Sequence, residues 1–390
     1  MKIKSLFDKI YWVNKDEKEN RGDLMESLFK EEFKDKLKNI VFIDLKEDYQ
    51  LEEVKLPRGF SLPLKLDYLI EGIKEQELEE EISLEKIVEA MIYLLGIDSE
   101  FKYSQKYREI LKNLNIDLKN YSMHKAFVKQ EEDPLDSYIF LKGYEEVVGE
   151  DPDIIFKEAN ILEALYNKIQ DDYEKSEKLL NIIIKKYNKV LNLDENYSLA
   201  YYRLAYINIA LAKFIKANMY FEKFINLSNN EELKDEVRKE MEIIKNNVNY
   251  DSAKTYLSYG DYDKALNLLD NITEDFNKDE GFYYTYAIAN YNIADYDKAE
   301  EYGKLSVEKK TTEENINLLA SLYAVKDEFR RAIDILKVGL EELEDSYPLN
   351  YNLGIIYLNA NEKDKGIEYL DKAYKIKPTE ELDNFIKNIK

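Results

Sequence analysis

From Tyr197 onward, apolar residues fall at the three- and four-residue spacing of amphipathic helices, broken at regular intervals by short polar stretches. The breaks come in a fixed rhythm. The string Asp-Tyr-Asp-Lys-Ala at Asp261 to Ala265 recurs at Asp295 to Ala299, 34 residues later. That period accommodates two antiparallel helices with their turns, and it predicts a chain that stacks like supersecondary units.

The pattern has a frame. In the last unit Leu353, Gly354 and Tyr357 lie on one predicted helix, Gly366, Leu370 and Ala373 lie on the next, and Pro378 follows. The preceding units place Leu319, Ala320, Tyr323, Ala332 and Leu336 in the same frame, then Ala287 with Ala299, Ala253 with Ala265, and Leu204, Ala205, Ala217, Phe221 and Phe224. From Ala253 to Gly354 the equivalent small residues are 34, 33 and 34 apart. Only Ala, Gly or Ser fits where helices cross at close range, while larger residues on flanking turns fill the space around the crossing. These residues and spacings resemble the tetratricopeptide repeat. The resemblance covers about Tyr197 to Glu380, roughly half of the chain. It implies a mainly α fold: a solenoid of antiparallel helix pairs, preceded by a smaller N-terminal module.

Between Ala205 and Ala253 the period lengthens to 48 residues. The surplus, 231–245, places Leu233, Val237, Met241, Ile244 and Val248 at helical spacing and reads as an extension of the following helix. Residues 119–196 read as two degenerate helical pairs, with Phe140 where a small residue is expected and an over-long helix over Asp171 to Asn192. Asp133-Pro134 and Asp151-Pro152 read as helix starts, and Asp261 and Asp295 as N-caps. The last ten residues, 381–390, are expected to form a capping helix.

Residues 1–118 lack the period and read as a separate, mainly helical module. Helices are expected near Leu6 to Val13, Asp23 to Leu37, Leu66 to Ile73, Ser83 to Leu95 and Ser104 to Leu114, with Ser83 as an N-cap and Gly96 as a C-terminal stop. Ile40 to Leu45 is one candidate short strand, and Leu56 to Leu64, with two prolines and a glycine, must be extended.

Charge and composition narrow the chemistry. A net charge of -23 opposes phosphate binding, so no nucleic-acid partner is expected. The absence of cysteine excludes disulfides and thiolate chemistry. The lone His124 cannot build the usual zinc sites, and Gly143 and Gly149 match no phosphate-binding fingerprint. The run Glu75, Glu77, Glu79, Glu80 and Glu81 reads as a solvated face. No cofactor or metal is expected. Neither a signal-peptide core nor a membrane span is visible, so a cytoplasmic protein without membrane insertion is expected. The ratio of 50 Lys to 7 Arg, with abundant Ile, Asn and Tyr, matches an AT-rich bacterial genome, which makes codon usage a sufficient source of the 33 tyrosines.

The resemblance also implies a binding surface, since in tetratricopeptide arrays the first helices of successive pairs line a concave groove. Matching positions here are Tyr202, Tyr206, Tyr250, Lys254, Tyr284, Tyr291, Asn292, Asn317, Ser321, Tyr351, Ile355 and Asn359. Some family members grip a C-terminal carboxylate with basic groove residues; this chain has Tyr202, Tyr284 and Asn317 there. The expected function is a non-enzymatic adaptor that binds a protein or peptide. A peptide-responsive regulator with an N-terminal effector module is the first alternative. An enzyme with its site in residues 1–118 is the second, although nothing there nominates a nucleophile with a matching base.

Overall fold

The computed structural model describes residues 24–45, 47–51, 54–68 and 83–390. The expected helix at Leu6 to Val13, most of the one from Leu66, and the glutamate run at 75–81 lie outside the described residues. The chain divides into two compact units, Met1–Lys234 and Asp235–Lys390.

Unit 1 begins with α1 (Leu24–Leu28), α2 (Lys30–Lys38) and four short strands, β1 (Ile40–Asp44), β2 (Tyr49–Leu51), β3 (Val54–Leu56) and β4 (Ser61–Lys65). Sequence reading expects one strand here. The structure forms two antiparallel pairs, β1 with β4 and β2 with β3, because the extended segment around Pro57 and Gly59 turns back along β1. Pro63 sits opposite Phe42 in that register. Helices α3 (Leu84–Ile97), α4 (Ser104–Asn113), α5 (Leu118–Lys129), α6 (Pro134–Val148), α7 (Pro152–Lys168), α8 (Tyr173–Leu193), α9 (Ser198–Ala210) and α10 (Phe214–Leu227) follow.

The caps form as expected: Asp133 accepts from the N–H groups of Leu135 and Asp136, Asp151 from those of Asp153 and Ile154, and Ser83 from that of Lys86. Gly96 departs from its expected role. It does not stop α3, which continues to Ile97, but lies buried where α3 crosses α6. A Cβ on Gly96 would stand 2.0 Å from the carbonyl oxygen of Ile139, and one on Gly143 would stand 2.0 Å from that of Ile92. The two glycines let the backbones touch. Phe140, one turn before Gly143, fills the adjoining core and tilts against Tyr93 with ring centroids 5.2 Å apart. One apolar core runs from Met25 through Leu204 and unites β1, β3 and β4, the crossing helices and α7 to α9. The long α8 packs on α7.

Helix α11 (Glu231–Ser258) contains the boundary between the units, and it begins at Asn230, whose side-chain oxygen accepts from the Leu233 N–H at 3.1 Å. Of its expected apolar stripe, Val237 and Ile244 are buried and Leu233, Met241 and Val248 half-buried, while the adjacent Ile243 is 69% exposed. Unit 2 continues with α12 (Tyr262–Asp270), α13 (Glu280–Asn292), α14 (Tyr296–Lys309), α15 (Glu313–Val325), α16 (Phe329–Glu342), α17 (Tyr347–Asn359), α18 (Lys363–Ile376) and α19 (Glu380–Ile389). Consecutive helices pair, each second helix packs on the next first helix, and α19 covers α18 with Leu382 and Ile386. Every small residue of the frame is buried at its crossing, from Ala253 with Ala265 to Gly354 with Gly366.

The turn between the helices of each pair is the same. One residue takes a left-handed conformation: Ala212 (φ 50°) in unit 1, then Gly260 (77°), Ala294 (62°), Asp327 (59°) and Asn361 (62°). The next N–H bonds to the carbonyl five residues back, as in Asp295 to Asn290 at 3.0 Å and Glu362 to Tyr357 at 2.8 Å. This closure satisfies carbonyls that the end of a helix otherwise leaves bare. Asp261 and Asp295 then cap the second helix through the N–H groups of Lys264 and Lys298.

Two stability measurements follow. Gly96→Ala, which drives a methyl into backbone, is expected to destabilise the chain by about 3 kcal/mol or more in denaturant titration. Ala294→Gly removes the left-handed penalty of an L side chain and is expected to stabilise by about 0.5–1 kcal/mol in the same assay.

Candidate functional site

The twelve groove positions divide between the units, two in unit 1 and ten in unit 2. On α9, Tyr202 and Tyr206 meet edge to face at 4.9 Å and turn toward their own partner helix, where each ring lies 5.2 Å from a phenylalanine of α10, Phe224 and Phe221 respectively. Much of their surface is thus spent inside the pair.

In unit 2 the first helices α13, α15 and α17 touch in succession and present one row of side chains each. Tyr250 packs on Phe276 and Phe282, each at 5.7 Å, with the Lys254 ammonium 4.4 Å over its ring. A Cβ at Gly281 would lie 3.1 Å from the Tyr250 hydroxyl, so that glycine makes room for the phenol. Lys254 also reaches Asp251 at 2.7 Å. Tyr284 is half-buried, and burial, then the Glu314 charge, pushes its hydroxyl above the ordinary range. Tyr291 leans on Tyr296 across the turn at 5.9 Å, and the Asn292 amide donates back to the Ile288 carbonyl at 2.7 Å. Asn317 accepts from the Asn352 amide at 2.7 Å, which ties α15 to α17. Tyr351 stacks on Tyr347 at 5.9 Å and, with Ile355, packs against the cluster that α19 completes. Ser321 and Asn359 are exposed.

The structure therefore joins Tyr202 to Tyr206 and Tyr250 to Lys254, and leaves the others as separate points along the row. No sequence signal marks Asn352: it falls outside the repeat's groove positions, and the residue one period after Asn317 is Tyr351. Residues 235–390 carry 33 acidic and 21 basic side chains, a net of -12, yet at these positions only Lys254 is charged. The row thus presents amides, hydroxyls and rings rather than ions.

No family model matches the chain, and no curated protein does. Among solved structures it is similar to PilW, a type IV pilus biogenesis factor (14% identity, TM-score 0.38, covering 58% of this chain and 98% of that one). It is similar to YrrB, described as a TPR protein with an unusual peptide-binding site (16%, 0.28, 64% and 97%), and to yeast Tom70 (16%, 0.35, 83% and 73%). What decides the fold is the chain's own frame: paired helices at a 34-residue period, crossing at buried small residues. The array is a tetratricopeptide-repeat fold. No helix among the described residues is long and apolar enough to cross a membrane.

On its second helices this tetratricopeptide array carries its charges in networks. Glu300 of α14 accepts from Lys304 at 2.8 Å, from Lys326 at 3.2 Å and from Arg331, whose guanidinium also stacks over Tyr323 at 4.1 Å. Partial burial works to raise the Glu300 carboxyl, but the three cations outweigh it and bring the value down to about 2. A similar knot lies in unit 1, where sequence gives no sign of it. Buried Glu89 meets Lys125 at 2.6 Å and Lys65 at 3.2 Å, and Lys65 sits over the rings of Tyr93 and Phe140. Burial favours protonation of Glu89, yet hydrogen bonds from Lys125 and Tyr68 and the two lysine charges keep it below the ordinary range. The Tyr93 hydroxyl donates to Asp136 at 2.5 Å, and Lys36 bridges Asp136 and Asp133. Each of these acids faces cations that neutralise it, which suits holding elements together.

Because the folded value of Glu300 lies below its ordinary 4.5, its stabilisation is present above pH 4.5 and is lost as pH falls toward 2. Glu300→Gln is expected to cost about 1–2 kcal/mol at pH 7. The difference from wild type should shrink steadily below pH 4.5 in parallel denaturant titrations.

Proposed function

We propose that unit 2 is a non-enzymatic adaptor that takes an extended protein segment along the row of first helices. The observation that carries this reading is the charge contrast: a unit with a net of -12 keeps its groove positions almost free of charge and fills them with Tyr, Asn and Ser. Charge is cheap on a solvated surface and costly on one that is desolvated by a partner. Tyrosine adds large contact area with a hydrogen-bonding tip, and asparagine matches the donors and acceptors of an extended backbone.

The groove set then sorts by what is free to engage. Lys254, Asn292, Ser321 and Asn359 are exposed, and Tyr284 and Tyr291 offer half-buried ring faces. Tyr351 and Ile355 act more as the floor on which α19 rests. Tyr202 and Tyr206 form a separate aromatic pair in unit 1.

The test is affinity capture from native lysate with wild type and with a Ser321→Arg, Asn359→Arg double variant, both confirmed to melt alike. A partner bound by wild type should be lost by at least about tenfold in the variant, because a desolvated, unpaired guanidinium costs about 2 kcal/mol or more. Equal capture by both forms would remove the row as the site.

A further inference from the structure

Glu158 of α7 stands apart from the other buried acids. Its side chain has no exposed surface. One carboxyl oxygen lies 2.5 Å from the Lys186 ammonium of α8, and the other, equally sealed from water, meets no donor or acceptor. The elements packed on α7 bring few charges to it. From α8 come Lys186 and Lys189, and from α6 comes Glu145. Lys189 is already engaged with Glu145 at 3.5 Å and Glu150 at 3.1 Å, and the Lys186 ammonium also lies 5.3 Å from the centre of the Tyr138 ring. One cation therefore faces a carboxyl group that, when ionised, has a second oxygen with nothing to satisfy it. Glu89 shows the contrast, since Lys125, Lys65 and Tyr68 together satisfy both of its oxygens.

Burying an ionised carboxylate with an unmet oxygen costs several kcal/mol, and protonation is the direct way to avoid that cost. Burial accordingly pushes the Glu158 carboxyl up to about 7, against the pull of Lys186. We propose that Glu158 is a reversible proton site that tightens the contact between α7 and α8 when protonated and loosens it when ionised, so that this part of unit 1 responds to pH around neutrality. The direction follows from linkage. The folded value lies above the ordinary 4.5, so the contribution is full below pH 4.5 and is lost as pH rises through about 7. The salt-bridged acids, Glu89 and Glu300 among them, act in the opposite sense.

The experiment uses the full chain labelled with carboxyl-¹³C glutamate, with Glu158 assigned by the signal missing in Glu158→Gln. Its midpoint is expected between about 6 and 8, apart from the exposed glutamates near the ordinary value. In parallel, amide exchange of α7 and α8, corrected for intrinsic rates, is expected to rise about tenfold from pH 6 to pH 8 in wild type and to stay level in Glu158→Gln. Should that variant fail to fold, Lys186→Gln keeps the carboxyl and should raise its midpoint by about one unit or more. A Glu158 signal titrating with the exposed glutamates, or the same pH response of α7 and α8 in wild type and Glu158→Gln, would overturn the proposal.

Discussion

Close approach of helix backbones is the constraint on which both units depend. In unit 1 it is met by two glycines, Gly96 and Gly143, across which no Cβ can be inserted without striking a carbonyl oxygen at 2.0 Å. In unit 2 it is met by a methyl group or none at all, repeated along the array from Ala253 to Gly366. Once the crossings are fixed, the larger side chains beside them have their neighbours assigned: Tyr323 and Leu336 around Ala320 and Ala332, Tyr357 and Leu370 around Gly354 and Gly366. Packing at interior density leaves little freedom after that.

The inter-helix turns show how strongly the crossing governs local structure. Five different pairs use a left-handed residue; Gly260 favours it and Asp327 and Asn361 accept it readily, but Ala212 and Ala294 do not. Alanine at 212 and 294 accepts a conformation that costs about 1 kcal/mol because the pairing of the two helices outweighs it. At these two alanines local propensity is overruled.

The sequence makes the array legible because its signal is repeated. The period, the small residues, the capping aspartates and the apolar stripe of α11 can all be read from residue type and spacing, and each stands in the structure where it is expected. Gly96 misleads because a glycine at a helix end and a glycine at a crossing look alike until the partner helix is known. Strands β2 and β3 are three residues each, too short to show an alternation. The buried acids were illegible for a different reason. Glu89 and Glu158 lie in charge-rich surroundings in sequence, and only the fold shows that one meets a lysine at each oxygen and the other a lysine at one oxygen only. The groove positions are legible as an alignment of repeats, but which tyrosines remain free depends on contacts such as Tyr202 with Phe224 and Tyr351 with the α19 cluster.

Pro63 has an effect beyond its own strand. In the β1–β4 register the hydrogen-bonded pairs include Asn39 with Leu66 and Leu45 with Phe60, so the Phe42–Pro63 pair falls at a non-bonded site, where backbone N–H groups point away from the partner strand. The missing donor is therefore on the outer edge of β4. Pro63 is itself buried, in a strand that packs on α3 and whose Ser61 carbonyl accepts from the Tyr107 hydroxyl. An ordinary residue there would hold an unpaired N–H away from water, and proline, which has none, spares the buried edge that cost without weakening the pairing with β1.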